Sequence, residues 1–123
     1  MNRERFIKGL TEGPHYPMKK RKDIIERVLR HSNWKTQCTV VMEEFAELQQ
    51  EVSKQIRGYD DKIGLLEEMA DAYICLEHLK IVFNISDSDV SRAIDVKIKR
   101  AEDNLKHTEA KEKREKMLNE QRV

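Results

Sequence analysis

Apolar residues recur at three- and four-residue intervals along most of this chain, the spacing of helices that each bury one face. Ile24, Ile25, Val28 and Leu29 predict a short amphipathic helix that opens near Met18 and stops at His31-Ser32-Asn33. Ser32 or Asn33 can cap a longer helix, in which Trp34, Cys38, Val41, Met42, Phe45, Leu48, Val52 and Ile56 form a core-facing stripe. Gly58 suits its end, because glycine takes left-handed backbone without a side-chain penalty. Tyr59-Asp60-Asp61 then makes a short connection. The segment from Asp61 to Phe83 is apolar around most of its circumference, which predicts a central helix or an oligomer interface. Asn84-Ile85-Ser86 interrupts it, and Ser86 with Asp89 resembles a capping box for a fourth helix carrying Val90, Ala93, Ile94, Ile98, Ala101 and Leu105.

Two stretches fall outside this pattern. Residues 1–17 mix charges with Gly13, Pro14 and Pro17 and read as an irregular arm, with at most a turn of helix from Phe6 to Leu10. Residues 107–123 are almost wholly charged, either a solvated helical extension or a frayed tail. Residues 18–106 between them make one helical domain. Both prolines precede Met18, so no proline interrupts the later periodic segments, and the expected fold class is all-α with a four-helix-bundle arrangement.

Hydrophobic and charged residues each make up 38% of the chain, a mixture that suits amphipathic helices with solvated outer faces. The formal net charge of +1 gives no footing for a strongly basic nucleic-acid binder, and the Lys19-Lys20-Arg21-Lys22 run reads as a solvated face. Cys38 and Cys75 lie among apolar neighbours without a paired motif and are expected as reduced thiols. Neither a leader-like apolar stretch nor a run of about 18 apolar residues is present, so a cytoplasmic protein without a membrane partner is expected.

Candidate chemistry lies in Glu43-Glu44-Phe45-Ala46-Glu47 and Glu68-Met69-Ala70-Asp71. Residues three apart share a helix face, so Glu44 pairs with Glu47 and Glu68 with Asp71. Each pair alone is also a common solvent-facing pattern. The register joins them: Glu47 lies ten residues before Arg57 and Glu68 ten after Gly58, while Glu44 and Asp71 lie thirteen away on either side. Across an antiparallel hairpin the two pairs therefore face each other. Four facing carboxylates repel and raise one another's pKa, which calls for a compensating cation. An all-oxygen donor set selects Mg²⁺ or Mn²⁺ over zinc, and Mg²⁺ fills its remaining positions with water and phosphate oxygens. A phosphate-bearing substrate follows. Glu43 turns to another side of the helix, and Glu51 either extends the acidic stripe or is solvated.

At these residues the chain resembles the MazG-type all-α nucleotide pyrophosphohydrolases, whose signature is E-E-x-x-E on one helix and E-x-x-D on the next. The likeness covers about Trp34 to Leu105. It implies hydrolysis of a ribo- or deoxyribonucleoside triphosphate to the monophosphate and pyrophosphate, a nucleotide-pool housekeeping role. It also implies metal ligation by Glu44, Glu47, Glu68 and Asp71, with Glu47 or Glu43 taking the proton from water. Lys97 and Arg100 are similar to the K-x-x-R of the family's last core helix, which implies phosphate binding. Trp34 and Gln37, one turn apart ahead of the acidic pairs, are candidates to stack on and hydrogen-bond a base.

Two other classes of function fit parts of the pattern. A helical interaction or regulatory module of the same fold would leave the acidic pairs solvated. Nucleic-acid binding would use Lys19 to Lys22 and the charged C-terminal segment. Whatever the activity, the apolar third helix predicts a homodimer or homotetramer.

Overall fold

The computed structural model describes residues 2–59 and 61–122; Asp60 of the expected connection, Met1 and Val123 lie outside the described residues. The fold is all-α. Five helices run in the order α1 (Arg3–Glu12), α2 (Met18–Leu29), α3 (Trp34–Ile56), α4 (Ile63–Val82) and α5 (Asp87–Gln121), and no strand occurs among the described residues. The added element is α1. The expected arm is helical over ten residues because Asn2 Oδ1 accepts the Glu4 backbone N–H at 2.7 Å, satisfying an orphan donor of its first turn.

Side-chain caps and left-handed residues set the remaining boundaries. Asn33 Oδ1 accepts from Thr36 N at 2.9 Å and starts α3. At its far end Gly58 has φ 95°, Tyr59 N donates to Lys54 O and Gly58 N to Gln55 O, each at 3.1 Å. This pair of bonds is the Schellman closure that a glycine past the helix end permits. Asn84, at φ 52°, turns the chain after α4, and Ser86 Oγ accepts from Asp89 N at 3.0 Å to open α5.

The chain divides into two compact units, Met1–Asn84 and Ile85–Val123. In the first, α4 is the central element, packed by α1, α2 and, along the longest seam, by α3. Gln37 ties α2 to this hairpin: its buried amide nitrogen donates to Leu29 O at 2.5 Å and Ser32 O at 3.0 Å. The buried apolar residues are Leu29, Val41, Ala72 and Cys75, so the core lies where α2 and the α3–α4 seam meet. The predicted stripe on α3 is only partly interior. Val41 is buried and Cys38, Phe45 and Leu48 are half-buried, whereas Trp34, Met42, Val52 and Ile56 are exposed. A straight helix drifts about 20° per seven residues, so a 23-residue stripe leaves the seam at its ends, at Trp34, Val52 and Ile56, whereas Met42 lies one residue past the buried Val41 and turns to another side of the helix.

The second unit is the single helix α5, which continues through Lys106 without a break and carries no buried residue. Near its middle α5 is knit by pairs at helical spacing, Lys99 with Asp103 at 2.9 Å and Lys106 with Glu102 at 3.8 Å. Among the described residues no helix is long and apolar enough to cross a membrane.

Candidate metal centre

Hairpin register brings the two halves of the acidic motif together. Glu44 on α3 meets Glu68 and Asp71 on α4, and one carboxylate oxygen from each lies within 4.8 Å of the other two. All three side chains are half-buried. Their helix positions explain the meeting, because the Schellman turn at Gly58 reverses the chain tightly enough to keep residues equidistant from it opposite each other.

The electrostatics of the cluster are unfavourable as it stands. Burial, the neighbouring Asp71 and then Glu47 push the Glu44 pKa up to about 7. Glu68 is pushed up to about 7 by burial, then by Glu47, Asp71 and Glu44. The buried Oε2 atoms of Glu44 and Glu68 have no hydrogen-bond donor. Buried carboxylate oxygens are costly without a donor or a cation. Two such oxygens beside a third carboxylate fit a hard divalent ion, which takes oxygen ligands and relieves the repulsion. Glu44, Glu68 and Asp71 would hold it.

Glu47 stands at the rim. It is exposed and outside the three-residue ligand set, yet near enough to be a cause of the raised pKa in both Glu44 and Glu68. Glu43 is also exposed and points away from the cluster, as its position one residue before Glu44 dictates. Cys75, one turn beyond Asp71, is buried, and its thiol is pushed up to about 11 by burial and by Glu44 and Asp71. It is an inert wall of the site. His78 is half-buried, with its pKa lowered by burial, and belongs to no ligand group among the described residues.

Trp34 and Gln37 lie together, lining an open cleft of about 430 Å³ with Glu26, Leu29, Arg30, Ser32, Ile81 and Val82. Trp34 is 55% exposed and meets the Phe83 ring edge-on at 6.4 Å between centroids. Since the Gln37 amide nitrogen is committed to Leu29 and Ser32, only its oxygen is left for a ligand. Lys97 and Arg100 are exposed on one face of α5, in the second unit. There Lys97 borders an apolar depression formed by Ile85, Val90, Ala93, Ile94 and Ile98.

Arg3 and Gly64 were not indicated by the motif. Arg3 Nε pairs with Glu67 at 3.0 Å, anchoring α1 beside the start of α4. A Cβ on Gly64 would lie 2.7 Å from both Arg3 Nη1 and Glu51 Oε2, so the bare glycine leaves a notch that these side chains fill. Glu51 is half-buried there and also pairs with Lys54 at 3.1 Å. The one sequence signal for Arg3 is the Asn2 cap before it.

Set against known proteins, the chain matches no family model, no curated protein and no solved structure. The likeness to MazG-type enzymes therefore rests on the E-E-x-x-E, E-x-x-D and K-x-x-R residues of this sequence. What the site offers chemically is three half-buried carboxylates on one hairpin, close enough together that they could hold a metal ion.

Proposed function

We propose that this protein is a Mg²⁺-dependent nucleoside triphosphate pyrophosphohydrolase that acts between the α- and β-phosphates. The observation that supports it best is the pair of donorless buried oxygens on Glu44 and Glu68 beside Asp71. A fold that keeps such repulsion in its principal seam gains from it only when a cation is bound. When bound, Mg²⁺ supplies charge neutralisation and Lewis-acid activation of phosphate and water. In this reading Glu47, at the solvent edge of the cluster, takes the proton of the attacking water, and its exposure allows that proton to leave. Glu43 lies farther round the helix and serves less directly. The cleft residues Trp34 and Gln37 precede Glu44 by ten and seven residues, about 15 and about 10 Å along α3 at 1.5 Å per residue, so the cleft lies on the side from which a base and its sugar would reach the cluster.

The same reading takes the chain as a cytoplasmic homo-oligomer with a bundle-type core completed by a second copy. Leu66, Met69, Tyr73 and Leu76 recur at three- and four-residue intervals on α4 and are all exposed, Tyr73 by 71%. That spacing matches the seam of paired helices. Release of pyrophosphate from nucleoside triphosphates with Mg²⁺, and its loss in Glu68→Gln, tests the activity.

A further inference from the structure

The exposed face of α5, the half-buried His78 and the Arg3 notch are each outside the chemistry described so far, and the notch has the most specific geometry. Gly64 lies one turn before Glu68 on α4, and Glu51 one turn after Glu47 on α3. The notch therefore continues the acidic stripe toward the Gly58 turn, about 6 Å along the helix axes from the carboxylate cluster. The Trp34–Gln37 cleft lies on the opposite side of that cluster. Cleft, carboxylates and notch thus follow one another along the hairpin.

We infer that Arg3, seated in the Gly64 notch, is a binding residue for the β- and γ-phosphates of the nucleotide held at Glu44, Glu68 and Asp71. This inference rests on the proposed activity and adds the direction in which substrate lies. With the base toward Trp34 and the α-phosphate at the carboxylates, the remaining phosphates extend toward the exposed part of the Arg3 guanidinium beside the notch, which Arg3 and Glu51 themselves fill. The Arg3 side chain is 42% exposed, so the guanidinium that contacts Glu67 with Nε keeps donors open to solvent. A guanidinium presents several donors in a planar fork that matches phosphate oxygens. Glu67 orients Arg3, and it competes with phosphate for the guanidinium, as does Glu51 on the other side of the notch. The charge that accumulates on departing pyrophosphate falls beside Arg3, where a cation lowers the barrier.

Titration calorimetry on the full chain, with Mg²⁺ alone and with inorganic pyrophosphate in saturating Mg²⁺, tests this. Arg3→Gln is expected to weaken pyrophosphate binding about tenfold, the loss of one charge-assisted contact, while Mg²⁺ binding stays within twofold. Glu67→Gln is expected to leave pyrophosphate binding unchanged or tighter, because the competing carboxylate is gone. A merely structural ion pair would make the two variants behave alike. The inference is overturned if Arg3→Gln binds pyrophosphate like wild type, if it loses Mg²⁺ and pyrophosphate together, or if Glu67→Gln reproduces its loss. Wild-type protein that binds Mg²⁺ but not pyrophosphate overturns the role of Arg3 and leaves the metal centre standing. Wild-type protein that binds no Mg²⁺ overturns both.

Discussion

Glu44 on α3 and Asp71 on α4 face each other across the hairpin with carboxylate oxygens within 4.8 Å, and each sits thirteen residues from the Arg57–Gly58 turn. Like charges at this range in a half-buried seam destabilise the fold unless a proton or a cation intervenes. The site therefore has a cost in stability that binding relieves.

Replacing Glu68 by Gln removes one of the repelling charges and supplies an amide donor to its neighbours. At pH 8 without divalent ions the variant is expected to be more stable than wild type by on the order of 1–3 kcal/mol. Its Tm is expected not to respond to millimolar Mg²⁺, whereas the wild-type Tm rises. Thermal melts of both proteins with and without Mg²⁺ check this, and a less stable variant that still responds to Mg²⁺ would contradict it.

The raised carboxylates also fix the sign of the pH dependence. Burial and the neighbouring carboxylates push Glu44 and Glu68 up to about 7 in the folded chain from an ordinary value of 4.5, so the native state holds protons that the unfolded chain has already released. Their stabilising effect is complete below about pH 4.5, falls as pH rises toward 7 and is lost above it. Metal binding needs the ionised forms, so Mg²⁺ stabilisation is expected to grow over the same interval. Urea midpoints at pH 6 and pH 8, with EDTA or with Mg²⁺, measure both slopes. An EDTA midpoint that rises with pH would count against the cluster as described.

Gly58, at φ 95°, holds the register on which the site depends. A Cβ in left-handed backbone costs about 1–2 kcal/mol, so Gly58→Ala is expected to lower stability by that amount. The position has open space around it, which separates the backbone penalty from steric clash. Denaturant unfolding of Gly58→Ala gives the value directly.

Four buried apolar residues among those described are a small core for a chain of this length, while Leu66, Met69, Tyr73 and Leu76 remain exposed on α4. The protein is expected to sediment at twice the 14.6 kDa of one chain or at a higher multiple. Tyr73→Glu together with Leu66→Glu is expected to shift it toward the monomer. Sedimentation equilibrium that finds a wild-type monomer at micromolar concentration would remove this part of the account.

Much of the hairpin was legible in the sequence because its signals are local. Helical spacing, the Asn33 cap and the glycine after Arg57 set α3 and its end, and counting outward from that turn aligned Glu44 with Asp71 and Glu47 with Glu68. What escaped depends on tertiary placement. Asn2-Arg3-Glu4 gives little local sign of a docked helix, since the helix gains its place through the Arg3–Glu67 pair and the Gly64 notch. Register likewise left open which side of each glutamate would be covered; the structure places Glu47 at the rim and encloses Glu44. Periodicity marked Met42 and Ile56 as interior, but both are exposed.

The most direct measurement is pyrophosphate release by purified protein from a panel of ribo- and deoxyribonucleoside triphosphates, with Mg²⁺ and with EDTA. The account predicts release from at least one nucleotide with Mg²⁺, abolished by EDTA and reduced at least a hundredfold in Glu68→Gln, with helicity unchanged. Absence of turnover across the panel by folded, Mg²⁺-loaded protein, or turnover that survives Glu68→Gln, would contradict it.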